Sequence, residues 1–307
     1  MLKISGFCGE QAEAGYHQWN KQRRFEPTQS PLSLLRLSIT GFKMSSLNPH
    51  HPQTALITGA SSGIGYELTK LLARDRYNLV LVARSADKLQ QMADSFTDKF
   101  GITVKTIVKD LSDPNSPQEI FAELQQETMT VDVLVNNAGF ATYGFFEQTD
   151  LMTELSMMQV NMVALTHLTK LFIPQMIQNK QGKILNIAST AAFQPGPMMA
   201  VYYATKAYVL SFSEALANEV KKSGVTVTAL CPGPTESGFQ KRANMEQSKL
   251  VKGRQIMDAK TVAKIGYQSM VEGKPVVIPG VKNKLLALSV RFLPRTMVTQ
   301  VVRSMQE

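Results

Sequence analysis

The sequence predicts an α/β fold, a single doubly wound parallel sheet with helices on both faces. Three observations carry that expectation. From Thr54 onward, apolar runs of strand length alternate with helix-length segments. The runs are close to continuously hydrophobic, which implies strands buried on both faces. A glycine cluster also stands where the first run meets the first helical segment, at Gly59, Gly63 and Gly65.

In chain order, strands are expected at residues 54–58, 79–83, 103–108, 131–136, 184–188 and 225–230, with a short last strand at 275–278. Helices are expected at residues 64–75, 86–100, 117–126, 152–177 and 202–222. No internal repeat or linker separates a second domain, so residues 51–280 are read as one unit. Residues 1–50 mix Gln, Ser, Pro and charges without sustained periodicity and are read as a loosely ordered tail. They lack the apolar centre and small-residue cleavage site of a secretory signal. Met44 opens a short lead-in to the first strand, and natural translation is expected to begin there. Residues 281–307 alternate apolar groups with Lys282, Lys284, Arg291, Arg295 and Arg303, as two short helices broken at Pro294.

Composition excludes several classes. Of 307 residues, 44% are hydrophobic and 19% charged, too apolar for a wholly disordered chain. Two cysteines, Cys8 and Cys231, cannot build a disulfide framework, and a reducing, cytoplasmic interior is the natural compartment. His17, His50, His51 and His167 are scattered, so no metal site is expected. The net charge of +9 comes from dispersed Lys and Arg, with no basic run longer than Arg23-Arg24 or Lys221-Lys222. That pattern reads as a solvated surface and not as a nucleic-acid site. The longest uncharged stretch, residues 184–205, is interrupted by Pro195-Gly196-Pro197 and carries Asn186, Ser189 and Gln194. No transmembrane span is expected there.

The first strand and its turn read T-A-L-I-T-G-A-S-S-G-I-G. Gly59 permits a tight turn, Gly63 lets the backbone approach a ligand, and Gly65 allows close helix–strand contact, with Ser61, Ser62 and Ile64 between them. Free N–H groups and the helix dipole at that point favour a pyrophosphate. The spacing is not that of a P-loop, because no Gly-Lys-Ser/Thr follows. The second strand ends in Ala83-Arg84-Ser85, where an NAD site usually has an acid for the ribose hydroxyls. A guanidinium pairs with a 2′-phosphate that an acid would repel, so NADP(H) is the expected cofactor.

Ser189 follows a strand, and thirteen residues later V-Y-Y-A-T-K sets Tyr202 and Lys206 four apart. On a helix that spacing puts both side chains on one face. The arrangement suits proton exchange with a carbonyl or alcohol oxygen. Hydride delivery to a ketone creates alkoxide character that an acid must quench, and a nearby ammonium is expected to lower the phenol's pKa. Ser189 would hydrogen-bond the reacting oxygen. Tyr203 lacks the register with Lys206.

These motifs, with Asp110-Leu111, N-N-A-G at residues 136–139, Asn161 and Pro232-Gly233, resemble the short-chain dehydrogenase/reductase family of NADP-preferring type over about residues 54–280. The resemblance implies a Rossmann-type sheet and a role for each position. Tyr202 would be the general acid/base, Lys206 would also hold the nicotinamide ribose, and Ser189 would orient the substrate carbonyl. Asn161 would keep a water that relays protons toward Lys206. Asp110 and Leu111 would flank adenine, and Asn136, Asn137, Ala138 and Gly139 would line the cofactor channel. Pro232, Gly233, Thr235 and Ser237 would meet the carboxamide, Ser237 standing where the family commonly has Thr.

Phe140, Phe193, Met198 and Met199 suggest an apolar substrate pocket. The chain looks most similar to the branch near long-chain 3-oxoacyl and hydroxysteroid reductases. An apolar carbonyl or alcohol is therefore expected: a 3-oxoacyl thioester, ketone or aldehyde. The competing reading is a non-catalytic NADP(H)-sensing regulator, against which the full catalytic set argues. A homo-oligomer is expected. The C-terminal tail is expected to pack on its own domain, with covering the pocket, dimerising or lying on an anionic membrane as its other uses.

Overall fold

The computed structural model describes residues 53–239, Ala243 and residues 256–307. The expectations for residues 1–50, including a start at Met44, lie outside the described residues.

The first half of the unit runs β1 (Thr54–Thr58), α1 (Gly63–Arg74), β2 (Asn78–Ala83), α2 (Ala86–Phe100), β3 (Val104–Val108), α3 (Ser116–Gln126) and β4 (Val133–Asn136). The second half begins with α4 (Leu151–Met158), a π-helical turn (Gln159–Ala164) and α5 (Leu165–Gln178). There follow β5 (Gly182–Ile187), a 3₁₀ turn (Thr190–Phe193), α6 (Ala200–Glu219) and β6 (Val225–Leu230). After a small parallel pair, β7 (Thr235–Glu236) with β8 (Met257–Asp258), come α7 (Ala259–Val271) and β9 (Val276–Val277). The chain ends in α8 (Val281–Ser289), a 3₁₀ turn (Val290–Phe292) and α9 (Arg295–Gln306).

Seven strands form one sheet in the order β3-β2-β1-β4-β5-β6-β9, and every pair is parallel. Side chains alternate across it. Ala55, Ile57, Leu79 and Leu81 face a core closed by Leu68 and Leu72 of α1, Leu89 and Phe96 of α2, and Val262 and Met270 of α7. Leu56, Val80, Val82 and Leu134 face the opposite core, closed by Ile120 and Leu124 of α3 and by Leu168 and Phe172 of α5. Each of those leucines, fully removed from water, contributes about 1.5–3 kcal/mol. The near-continuous hydrophobicity of the strands thus has its cause in two covered faces. β1 lies between β2 and β4, so the winding reverses beside it, and the crevice where such folds bind ligands opens there.

Three local features differ from expectation. The helix expected over residues 152–177 is interrupted by the π turn, in which the Asn161 side chain is bonded to the Phe140 backbone. Such bulges are frequent at functional sites. Helix α7 was not foreseen, although Asp258 caps it by accepting from the Thr261 N–H and Val262, Gly266 and Met270 line its buried face. The β7–β8 pair also escapes the sequence, since two-residue strands carry no period.

Between β4 and β5 the core is tied by polar groups. Asn136 Nδ2 donates to Asn186 Oδ1 (2.9 Å) and Thr169 Oγ1 (3.0 Å), and Asn186 Nδ2 donates to Ser213 Oγ (2.9 Å). All four residues are buried. Removing one member leaves its partners dry and unpaired, which costs about 1–3 kcal/mol per group. Asn186→Ala should therefore lower the urea midpoint by the equivalent of about 2 kcal/mol or more. A change below about 0.5 kcal/mol would show that the network does not hold the strands together.

Candidate active site

The carboxyl ends of the strands open onto one cleft of about 740 Å³, a size proper to a ligand site. Gly59, Ser61, Ser62, Gly63 and Ile64 line its first corner, at the amino end of α1. No acidic side chain sits in the first turn of α1, so the positive end of its dipole faces the cleft uncompensated. Gly59 has φ +65°, and a Cβ there would stand 2.8 Å from Asn137 Nδ2. Gly65 is tighter still: its Cβ would meet the Gly59 carbonyl oxygen at 2.4 Å. The loop after β4 is stitched to this turn. Asn137 Nδ2 donates to the Thr58 and Gly59 carbonyls, and Thr58 Oγ1 accepts from the backbone N–H groups of Asn137 and Ala138.

Arg84, Asp110 and Leu111 line the end of the cleft beyond β2 and β3, joined there by Lys88 and Lys109. The two lysines were not singled out from the sequence: Lys88 stands inside α2 and Lys109 between β3 and Asp110, and a lone lysine at either place reads as a solvated side chain. Arg84 Nη1 approaches Asp110 Oδ2 at 3.5 Å. Partial burial works to raise the Asp110 carboxyl; hydrogen bonds from Ser112 and the Arg84 charge outweigh it and hold the group below its usual range.

Asn137, Ala138, Gly139, Ser189, Tyr202, Lys206, Pro232, Gly233, Thr235 and Ser237 all border the same cleft. Ser189 Oγ accepts from the Ala191 N–H (3.1 Å) and makes a long contact of 3.4 Å to the Pro232 carbonyl. Lys206 Nζ donates to the Ile187 carbonyl (2.8 Å) and stands 5.8 Å from the Tyr202 ring centre. Both side chains are buried. Here the expected electrostatics are corrected. Burial pushes the Tyr202 phenol up to about 12, with the Ser189 hydroxyl working in the opposite direction. Burial also lowers Lys206 to about 8, with Cys231 working the other way. Loss of water penalises both charged forms, the phenolate and the ammonium alike.

Five expected site residues do not line the cleft. Asn136 is spent in the buried tie between β4 and β5, and Gly65 serves the packing of α1 against the turn. Asn161 lies behind the wall, where Oδ1 accepts from the Phe140 N–H (3.1 Å) and Nδ2 donates to the Phe140 carbonyl (3.0 Å) and to Thr205 Oγ1 (3.1 Å). Phe193 packs beside Leu165, Ala188 and Val209 and borders a second, smaller hollow. Met198 takes φ +64°, and its sulfur lies 3.8 Å from the Tyr143 hydroxyl oxygen. Phe140 and Met199 do line the cleft, as expected.

The tail supplies residues that sequence reasoning left out. Asn283, Leu286, Ala287 and Met305 border the cleft. Val298 and Val302 of α9 pack into the cluster around Tyr202 and Tyr203. Gln306 Nε2 donates to the Tyr203 hydroxyl (3.1 Å), and the Tyr143 hydroxyl donates to the Gln306 carbonyl (2.8 Å). Nothing local in the sequence joins positions so far apart.

Residues 53–248 match the family described as short chain dehydrogenase. The chain belongs to that family. Among curated relatives, a very-long-chain 3-oxoacyl-CoA reductase from Bos taurus is 32% identical over 238 residues, covering 76% of this chain and 74% of that protein. One of the same name from Anas platyrhynchos is 33% identical over 207 residues, covering 66% of this chain and 65% of that protein. The chain thus spans about two thirds of the length of the curated relatives it matches. A short-chain dehydrogenase from Sphingobium yanoikuyae, solved in complex with NADPH, superposes with a TM-score of 0.71 at 32% identity, over 78% of this chain and 93% of that one. A 7beta-hydroxysteroid dehydrogenase structure reaches 0.73 at 22% identity, over 81% of this chain and 96% of that one, a likeness of fold. The cleft of this short chain dehydrogenase family member suits a nicotinamide cofactor.

The depressed lysine has a measurable consequence. Between about pH 8 and 10.5 the unfolded chain binds more protons at Lys206 than the folded one, so this group makes stability rise with pH. Lys206→Met removes that titration. The stability of the variant minus that of the protein itself should be most positive near neutral pH and fall steadily as pH rises from about 8. Urea unfolding below about pH 10, before unfolded tyrosines titrate, checks it. A difference that stays flat would mean that the ammonium is not desolvated.

Proposed function

We propose that the protein reduces an apolar carbonyl compound with NADPH, Tyr202 acting as the proton donor. The observation that carries this reading is the common cleft shared by the glycine turn, Arg84, Ser189, Tyr202 and Lys206.

The residues present fit the cofactor. The turn at Gly59–Gly63 and the bare amino end of α1 would take the pyrophosphate. Asp110 and Leu111 would flank adenine. Arg84, with Lys88 and Lys109 on the same cleft wall, would pair with a 2′-phosphate. Asn137, Ala138 and Gly139 on one side, and Pro232, Gly233, Thr235 and Ser237 on the other, would confine the nicotinamide end. When bound, the reduced cofactor supplies the hydride.

The chain's own part is to hold the carbonyl and deliver a proton. Ser189 Oγ, held only loosely to the Pro232 carbonyl, would turn its hydrogen to the substrate oxygen. Tyr202, a phenol protonated at neutral pH and held more firmly so by burial, would give that proton up as negative charge builds on the same oxygen. Lys206 would then steady the phenolate left behind. Asn161 is a positioning residue: through both backbone groups of Phe140 it sets the loop that forms the cleft wall.

Phe140, Met199, Phe239, Leu286 and Met305 give the cleft an apolar lining. The relatives named very-long-chain 3-oxoacyl-CoA reductase make a long 3-oxoacyl thioester the favoured substrate within that class.

NADPH oxidation against 3-oxoacyl thioesters, ketones and aldehydes tests the reading. Tyr202→Phe should lose at least about 10²-fold in kcat while still binding NADPH, followed by nucleotide fluorescence. Retained turnover would remove Tyr202 from the chemistry. Arg84→Ala should raise KM for NADPH roughly tenfold, about 1.4 kcal/mol, and leave that for NADH nearly unchanged. Equal effects on both cofactors would overturn the 2′-phosphate assignment.

A further inference from the structure

The C-terminal tail treats its apolar residues in two opposite ways. Helix α9 buries Val298 and Val302 against the cleft. Helix α8 does the reverse. Val281, Leu285 and Leu288 recur at one helical spacing, and Phe292 continues the row in the following 3₁₀ turn. They are 72%, 61%, 49% and 79% exposed. The opposite side of α8 turns Ala287 inward. The stripe is therefore presented outward, against the expectation that the tail packs wholly on its own domain.

The charges beside it have one sign. Lys282, Lys284, Arg291 and Arg295 flank the stripe, and Glu307 is the only acidic residue after Glu272. Among the described residues none of these four cations enters an ion pair. An apolar ridge edged by free cations asks for a partner that is apolar and anionic at once. It is convex, projecting side chains outward instead of enclosing a groove, which suits a deformable surface better than a rigid one. A second copy meeting it through the same patch would set these cations against one another.

We propose that α8 and the turn after it form a docking surface for an anionic lipid bilayer. Val281, Leu285, Leu288 and Phe292 enter the boundary between headgroups and acyl chains, and the four cations meet the anionic headgroups. The helix lies in the membrane plane, since no helix among the described residues is long and apolar enough to cross a membrane. Leu286, next in sequence to the stripe, borders the active-site cleft, so docking sets the cleft mouth beside the lipid. The proposal stands on this surface alone and does not depend on the role given to Tyr202.

Flotation of the full chain with vesicles tests it, using phosphatidylcholine alone and phosphatidylcholine with about 30% phosphatidylglycerol. The chain should bind the anionic vesicles at least about tenfold more strongly, and raising salt from about 0.1 to about 0.5 M should weaken binding. Leu285→Glu with Phe292→Glu should abolish it, and Lys282→Glu with Lys284→Glu and Arg291→Glu should reduce it at least about tenfold. All five positions are exposed, so circular dichroism and turnover of a small water-soluble ketone should stay unchanged. Absence of vesicle binding, or equal binding to neutral vesicles, would overturn the proposal. So would sedimentation equilibrium showing that Leu285→Glu with Phe292→Glu dissociates an oligomer, which would assign the stripe to a second copy.

Discussion

The hydrogen bond from Lys206 Nζ to the Ile187 carbonyl holds a buried ammonium at the carboxyl end of the central sheet. Everything around it is arranged within that constraint. Gly139 passes so close that a Cβ there would stand 3.5 Å from Nζ and 3.0 Å from Asn161 Oδ1. Asn161 in turn grips both backbone groups of Phe140, and the helix carrying it widens into a π turn at that place. The N-N-A-G loop is thereby held from two sides, by Asn161 and by Thr58 at the glycine turn. Cofactor cradle and proton donor are parts of one stitched surface.

Burial gives that surface its character. The same dry environment raises Tyr202 and lowers Lys206, so each side chain resists its charged form. A buried phenol that holds its proton beside an ammonium answers to charge that develops on a neighbouring oxygen and does little before it arrives. Water exclusion also needs a cover, and α9 provides part of one through Val298, Val302 and Gln306. The tail therefore completes the site at its far end while α8 offers a different surface to the outside.

Much of this was legible in the residues. The two-faced burial of the strands, the glycine turn and the Tyr202–Lys206 register are written in local periodicity and spacing, and the structure brings them to one cleft. Misreadings came where a motif suggests proximity without direction. Asn136 shares the N-N-A-G motif but points into the core, because successive side chains of a strand face opposite ways. Met198 adjoins Met199, yet its left-handed backbone turns it toward Tyr143. Lys88 and Lys109 went unnoticed because a lone lysine reads as a solvated side chain wherever it stands.

The sequence by itself determined the fold class, the order of the elements and which residues form the glycine turn and the Ser189, Tyr202 and Lys206 set. These follow from periodicities of two and near four and from turn chemistry, all local. Only the tertiary structure decided that burial, not the ammonium, dominates the phenol, since desolvation depends on every group packed around it. Only it decided that Gln306 meets Tyr203, 103 residues away in the chain, and that the α8 stripe faces outward. Those outcomes depend on which surfaces remain after the sheet and its helices have packed, and no local pattern encodes what is left over.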